Sequence, residues 1–384
     1  MTSYERRKRL LILVSGSPVA GGAERFCLNL ASRIDRAMFE ITVAWVWHFD
    51  SALEREYQTK LKQLGIAHYC CAQYVDDDTF RQNTLRGVGG FRKLLATLRP
   101  NIVNTHTEPA DFCMAVTKLL QPILWVRTAH NTVEWPWAVH IGWMMDKICP
   151  VLCNLELAVS QAAARRLDQR LVARLLSKRA RFAPNAVDAQ AIRAGRVKHI
   201  RDELDIPLEA PLFGVAARMT AQKGIHYLLD AMPKVREHAP NAHLVIAGDG
   251  ELLASLKQHA SDNGLGTCVH FLGQRQDVLG VISALDVFVL PSLWEGLPTV
   301  ILEAMALDIP VVATMIPGTD ELVAHEKTGL LVPVKDSLAL AQAMLRLYSD
   351  QVLAQSCTHL ARKVVQTYSI DTVARTYEQI FLEL

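Results

Sequence analysis

One repeating order narrows what this chain can fold into: a short apolar run, a polar or glycine-rich loop, then a segment of helical periodicity. Residues 10–14 are a short apolar run that reads as a buried strand, 41–46 read as a second strand, and 102–104 and 124–128 end further strands. Gly16, Gly21 and Gly22 follow the first run, and helical periodicity then runs over 23–34 through Phe26, Leu30 and Ile34. Two later runs end beside polar residues, His106 and then His130 with Asn131. Strands that alternate with helices predict an α/β fold with a doubly wound parallel sheet. In such sheets ligands sit outside the carboxyl ends of the strands.

The pattern restarts after Pro184, Asn185, Ala186, Val187 and Asp188, a turn-rich stretch before a polar segment at 189–209 that reads as a linker. Further strands are expected at 211–217, 244–247, 269–272, 287–290 and 311–314, with a helix at 225–235. At about 150 residues per domain, 384 residues suit two domains or three. The boundaries read as 1–187, 188–367 and a closing helix-like segment, 368–384.

Composition excludes some alternatives. With 50% hydrophobic and 21% charged residues the chain is not a disordered polymer. No apolar run reaches the ~18–20 residues that span a bilayer; the longest, 135–145, contains His140. Arg6, Arg7, Lys8 and Arg9 precede only five apolar residues, short of the ~7–15 of a secretion signal, so a first strand is expected there. The eight cysteines form no C-x-x-C pair, and Cys149 and Cys153, four apart, suit core packing better than metal binding, which leaves free buried thiols. The first half of the chain is basic and the second acidic, as expected of two domains with different partners, the basic one facing something anionic.

Three stretches carry candidate chemistry. Gly16-x-x-x-x-Gly21-Gly22, between a strand and a helix, suits phosphate or sugar contact or a tight turn. Arg218 and Lys223-Gly224, directly after the strand at 211–217, are either a diphosphate clamp or two solvated charges. The third is Pro291-Ser292-Leu293-Trp294-Glu295-Gly296-Leu297-Pro298-Thr299 followed by 300–306, with a helix starting near Pro298 or Thr299. If both were helical, Glu295 and Glu303 would stand roughly 12 Å apart. Glycosidase carboxyls sit about 5–9.5 Å apart. The two therefore read as separate acceptors along one ligand rather than an acid/base pair, and Glu303, in an apolar run, reads as buried and ligand-paired.

Together these marks resemble the retaining nucleotide-sugar glycosyltransferases of the GT-B fold, in the large group called family 4, of the bacterial cell-envelope and polysaccharide type. The resemblance rests on Gly21-Gly22-Ala23-Glu24-Arg25, Pro184-Asn185-Ala186-Val187-Asp188, Arg218 with Lys223-Gly224, Gly248-Asp249-Gly250, Phe271-Leu272-Gly273 and Pro291-Ser292. To these are added the Glu295 to Glu303 pattern with Gly296-Leu297-Pro298, and Gly329-Leu330-Leu331-Val332. It implies two Rossmann-like domains facing across a cleft, the first for the acceptor and the second for the donor. It also implies a last helix that crosses back to the first domain and a hinge near Pro184–Asp188. Arg218 and Lys223 would bind the donor diphosphate. Glu303 would hold the ribose, and Glu295 the sugar hydroxyls with the backbone of Gly296, Leu297, Pro298, Thr299 and Val300. Gly21 and Gly22 would approach the phosphate, Gly248 and Leu272 would lie in the donor site, and 271–277 would border the base. His130, in Thr128-Ala129-His130-Asn131, matches the family's active-site histidine; on its own it reads equally as a satisfied strand-end histidine.

The reaction implied is retaining transfer of a sugar from a nucleotide diphosphate sugar, a UDP-sugar for preference, to a saccharide or lipid-linked saccharide. No cofactor and no metal is expected, since Asp76-Asp77-Asp78 reads as a solvated acidic loop. Arg166, Arg170 and Arg174 form an i, i+4 stripe beside Leu167, Leu171 and Leu175. This suggests either a basic amphipathic helix lying on an anionic membrane or a solvated basic face, and the patch Trp135, Trp137, Trp143, Met144 and Met145 either docks lipid or packs into the core. The expected location is cytoplasmic, peripheral on the inner face of the membrane. Nucleic acid is not an expected partner, since no aromatic-interleaved basic platform appears. Two rival readings are a nucleotide-sugar epimerase on the same fold and a silent glycosyltransferase-like scaffold.

Overall fold

The computed structural model describes residues 8–14, 22–120, 122–135, 138–195 and 200–384. Gly16, Gly21 and Trp137 lie outside them. The chain divides into two compact units, Met1–Ala186 with Ile370–Leu384, and Val187–Ser369.

The first unit holds seven strands: β1 (Lys8–Val14), β2 (Phe39–His48), β3 (Ala67–Gln73), β4 (Ile102–Thr105), β5 (Leu124–Ala129), β6 (Leu155–Ala158) and β7 (Arg181–Phe182). All neighbours pair parallel, in the order β3-β2-β1-β4-β5-β6-β7. The second holds β8 (Leu212–Ala216), β9 (His243–Ala247), β10 (Val269–Gly273), β11 (Val287–Leu290), β12 (Val311–Thr314) and β13 (Leu330–Val332). Its parallel order is β10-β9-β8-β11-β12-β13. Counted from their first strands, both sheets begin 3-2-1-4-5-6, the dinucleotide-fold order. Each reverses direction once, between β1 and β4 and between β8 and β11, where ligands bind in such sheets.

Apolar residues cover both faces of the first sheet, as helices on both sides require. Ile102 and Val126 join Phe26, Leu30 and Trp45 on one face; Val103 and Trp125 join Phe91 and Cys149 on the other. The helix Ile370–Leu382 belongs to this unit and buries Ile370, Val373, Tyr377 and Phe381 in the first of these cores.

Three expectations need correction. The polar stretch 189–209 contains helices Ala189–Ala194 and Ile200–Glu203, which bury Ile192 and Ile200. The segment 160–181 is not one basic helix: Gln161–Gln169 and Leu171–Leu175 are separate, and Arg170 between them is extended at φ −61°, ψ 134°. Its stripe is not a free charged face either. Arg166 Nη1 lies 2.8 Å from Glu134, and Arg170 pairs with Glu156. Both carboxylates also hold the buried Arg127, which binds Asp111 as well at 2.7 Å. Leu167, Trp135 and Met145 are buried in the core. Finally, not every thiol is buried: all eight are free, but Cys70 is exposed and Cys71 half-buried.

Candidate active site

In the second unit, the loops after β8 and β11 meet at the reversal of strand order. Arg218 follows β8 and is exposed, and its side chain pairs with no carboxylate among the described residues. Lys223 closes a short 3-10 turn (Ala221–Lys223), and Gly224 takes φ +59°. A Cβ on Gly224 would stand 2.3 Å from the Pro291 carbonyl oxygen, so only glycine lets the two loops touch. The backbone also joins them: Leu293 N–H donates to the Gln222 carbonyl at 2.7 Å.

This contact places Lys223 Nζ 2.6 Å from Glu295 Oε1. Ser292 donates its hydroxyl to the same oxygen at 2.7 Å, and Gln222 Nε2 reaches the other at 3.3 Å. Glu295 is buried and lies in the loop, not in a helix. The helix Thr299–Ala306 starts after Pro298, with Gly296, Leu297 and Pro298 buried and Thr299 and Val300 half-buried. Glu303, also buried, sits in that helix. Gly318 adds a second backbone lock: at φ +86°, its Cβ would fall 1.9 Å from the Gly296 carbonyl. Gly248, after β9, donates its N–H to Gly273 at 2.8 Å, and Leu272 is half-buried in neighbouring β10. The structure thus brings Lys223 and Glu295 into contact and builds Arg218, Gly248, Leu272 and Glu303 on neighbouring carboxyl-end elements of one sheet.

In the first unit, Gly22 is the exposed first residue of helix Gly22–Arg33. His106 and His130 follow β4 and β5. His106 Nδ1 lies 3.0 Å from His130 Nε2, and Phe26 packs against both rings with centroids 5.9 and 5.8 Å away. Burial pushes His130 down to about 3, against the pull of the Asn185 hydrogen bond. Burial, then the neighbouring His130, hold His106 well below the usual imidazole range. Both rings are therefore neutral at neutral pH. Three polar atoms are buried here with no partner among the described residues: Asn104 Oδ1, His106 Nε2 and Thr107 Oγ1. Buried polar atoms are nearly always satisfied, so such a cluster marks a place for a polar ligand. The sequence reading passed over His106 as a site residue; its signal was the repeated strand-end histidine.

Asp76 and Asp77 are exposed and Asp78 pairs with Arg86. Cys149, Cys153 and Glu156 have ligand atoms within 4.8 Å of one another, but Arg127 and Arg170 already occupy Glu156.

Comparison with known proteins agrees with this construction. The family described as Glycosyltransferase Family 4 matches residues 20–191, and that described as Glycosyl transferases group 1 matches 210–350. An Escherichia coli UDP-Gal:alpha-D-GlcNAc-diphosphoundecaprenol alpha-1,3-galactosyltransferase is 32% identical over 208 residues, 52% of this chain and 53% of the relative. The lipopolysaccharide core biosynthesis glycosyltransferase LpsE of Rhizobium meliloti is 32% identical over 48% of this chain and 54% of its own. The chain thus spans about half the length of these curated relatives. Among solved structures, Anabaena HepE in complex with UDP-glucose superposes with a TM-score of 0.83 at 22% identity, covering 98% of this chain and 100% of HepE. WaaG, a glycosyltransferase involved in lipopolysaccharide biosynthesis, gives 0.73 at 15% identity over 97% and 99%. With a family 4 domain in one half, a group 1 domain in the other and the fold of these neighbours throughout, the chain belongs to the GT-B glycosyltransferases.

Proposed function

We propose that this protein moves a sugar, with retention of configuration, from a UDP-sugar to a saccharide or lipid-linked saccharide acceptor in envelope polysaccharide or glycolipid synthesis. The observation that carries the reading is the Lys223–Glu295 pair at the reversal of the second sheet, in a loop pinned by Gly224 and Gly318. A buried carboxylate held by a cation and a hydroxyl is a ready acceptor for sugar hydroxyls. The bond between the anomeric carbon and the diphosphate oxygen breaks, and negative charge grows on the diphosphate. Arg218, Lys223 and the N–H groups opening helix Thr299–Ala306 are fixed charges and dipoles suited to stabilise it. The acceptor oxygen bonds on the face the diphosphate leaves, and its proton passes to the departing phosphate oxygen. Glu303 holds the ribose, and His130 is the active-site histidine of this reading. Arg218, Lys223 and the helix N-terminus supply the positive charge, so the reaction is proposed to need no metal. The bound UDP-glucose of HepE and the UDP-Gal of the Escherichia coli relative favour uridine.

Calorimetric titration with UDP, GDP and ADP in chelator tests the reading. UDP should bind the wild type, and Arg218→Ala with Lys223→Ala should abolish binding. If no nucleotide binds, or binding demands a divalent cation, the assignment fails.

The same reading seats the protein peripherally on the inner face of the cytoplasmic membrane. No helix among the described residues is long and apolar enough to cross a membrane. The neighbouring helices Val139–Leu152 and Leu171–Leu175 instead expose apolar side chains: Trp143 is 65% exposed, Leu171 70% and Leu175 74%. Lys147 stands 3.2 Å over the Trp143 ring, and Arg165 and Arg174 are exposed nearby in sequence. An aromatic, apolar and basic surface of this kind suits an anionic bilayer. Sedimentation with phosphatidylglycerol vesicles at low salt should carry the wild type down and leave Trp143→Ser with Leu171→Ser in solution. A wild type that stays in solution removes the membrane from the reading.

A further inference from the structure

The two strand-end histidines of the first sheet are in direct contact, and that contact restricts where their protons can sit. A neutral imidazole has one N–H and one bare nitrogen. Only one hydrogen can occupy the 3.0 Å gap between His106 Nδ1 and His130 Nε2. If His106 donates, its Nε2 is bare and His130 must carry its proton on Nδ1. If His130 donates, its Nδ1 is bare and His106 carries a proton on Nε2. The outer nitrogens are therefore always one donor and one acceptor. Both are buried; His106 Nε2 has no partner among the described residues, and the His130 ring has the Asn185 side chain beside it. Phe26 holds the rings from the side without a hydrogen bond, and the Asn185 side chain accepts from the His130 ring, so the choice between the two arrangements is set by His106 and Asn185 together.

We propose that His106 is a positioning residue that fixes the tautomer and orientation of His130, so that His130 Nδ1 presents one defined hydrogen-bonding character to the ligand. The proton on one ring nitrogen is set by the bond the other nitrogen makes. Here that bond comes from a second imidazole rather than a carboxylate. A carboxylate would raise the His130 proton affinity; a neutral partner fixes the tautomer and leaves the ring uncharged, as suits a group that meets uncharged sugar hydroxyls. The inference rests on the functional reading above for its catalytic consequence, but the fixed tautomer can be measured without any substrate.

The test uses the full chain and three variants. His106→Phe keeps the ring and its packing and removes the hydrogen bond. His106→Asn keeps a polar atom near the Nδ1 position. His130→Ala removes the partner. Nitrogen-15 spectra of histidine-labelled protein should show His130 as one tautomer in the wild type and as a mixture, or the other tautomer, in His106→Phe. With UDP-sugar donors and saccharide acceptors, kcat in His106→Phe should fall about tenfold to a hundredfold, with the donor KM little changed. His106→Asn should recover part of it, and adding His130→Ala to His106→Phe should cost little more, because residues that act as a unit are not additive. Unchanged His130 nitrogens in both His106 variants, or losses that multiply in the double variant, overturn the proposal. If the wild type neither binds UDP nor transfers sugar, the proposed function is what fails, and the nitrogen spectra still decide the dyad.

Discussion

The two sheets share a strand order and differ in what stands at their reversal points. In the second unit the loops carry a cation and a carboxylate 2.6 Å apart, on backbone locked by glycines. In the first, the equivalent strand ends carry two neutral imidazoles and polar atoms without partners. The first unit is nevertheless the one built from the basic half of the sequence. Its charge is spent elsewhere: Arg127, Arg166 and Arg170 are tied to Asp111, Glu134 and Glu156. Net charge along a sequence is thus a poor guide to the charge at a site, because it does not say where the basic side chains stand or which of them are paired. Fixed charge stands at the reversal of the second sheet, and neutral donors and acceptors stand at that of the first.

Four changes would break or sharpen this contrast. The largest effect should come from Arg127→Met, which leaves three carboxylates buried without their shared cation. A loss of about 3–5 kcal/mol in denaturant unfolding is expected, with UDP binding by the surviving fold unchanged. A much smaller loss would mean that the arginines are available for a ligand after all. Next, Lys223→Ala should lower kcat/KM by about 10²–10³, as removal of one group facing developing charge does elsewhere. Activity close to wild type would remove the charged half of the contrast. Gly318→Ala should cost about 1–3 kcal/mol, since its Cβ must displace the Gly296 carbonyl, and should raise the donor KM. An unchanged KM would show that the lock does not shape the donor loop.

The last change concerns pH. His106 and His130 resist protonation when folded, whereas an unfolded histidine takes up a proton near pH 6.5. Below that pH the unfolded chain binds protons that the folded chain refuses, so stability should decline from about pH 6.5 towards 3. His130→Asn should make that decline shallower in chemical unfolding measured at several pH values. A slope identical to wild type would mean that the imidazoles are not buried neutral groups.

The strand at 287–290 could be read from the chain because parallel strands covered on both faces leave unbroken apolar runs, and those at 102–104 and 124–128 because an apolar start leads into strand-end polar residues. β3 (Ala67–Gln73) escaped for the opposite reason: it is an edge strand, largely exposed, and reads as a mixture of small and polar residues. β6 and β7 have four and two residues, too few to show a period. At the site, Lys223 and Glu295 were each visible as residue types, but their contact joins positions 72 apart and depends on a loop crossing that only the fold supplies. The membrane stripe misled because helical spacing shows which residues share a face, not which acids come from other elements to meet them. Glu134 and Glu156 lie outside that helix, so the solvent-facing basic surface had to be sought elsewhere, beside Trp143.

The helix Ile370–Leu382 has a consequence for how the protein is made. It fills the core beside Phe26 and Phe39 with Tyr377 and Phe381, yet it is synthesised after the whole second unit. On the ribosome, the second unit can therefore fold as soon as it emerges. The first must wait with an unfilled groove for roughly 180 residues of further synthesis, about 10–40 s at 5–20 residues per second. During that interval the apolar side of helix Gly22–Arg33 is the surface a chaperone would be expected to hold. The unit built first from the sequence is in this sense the one completed last.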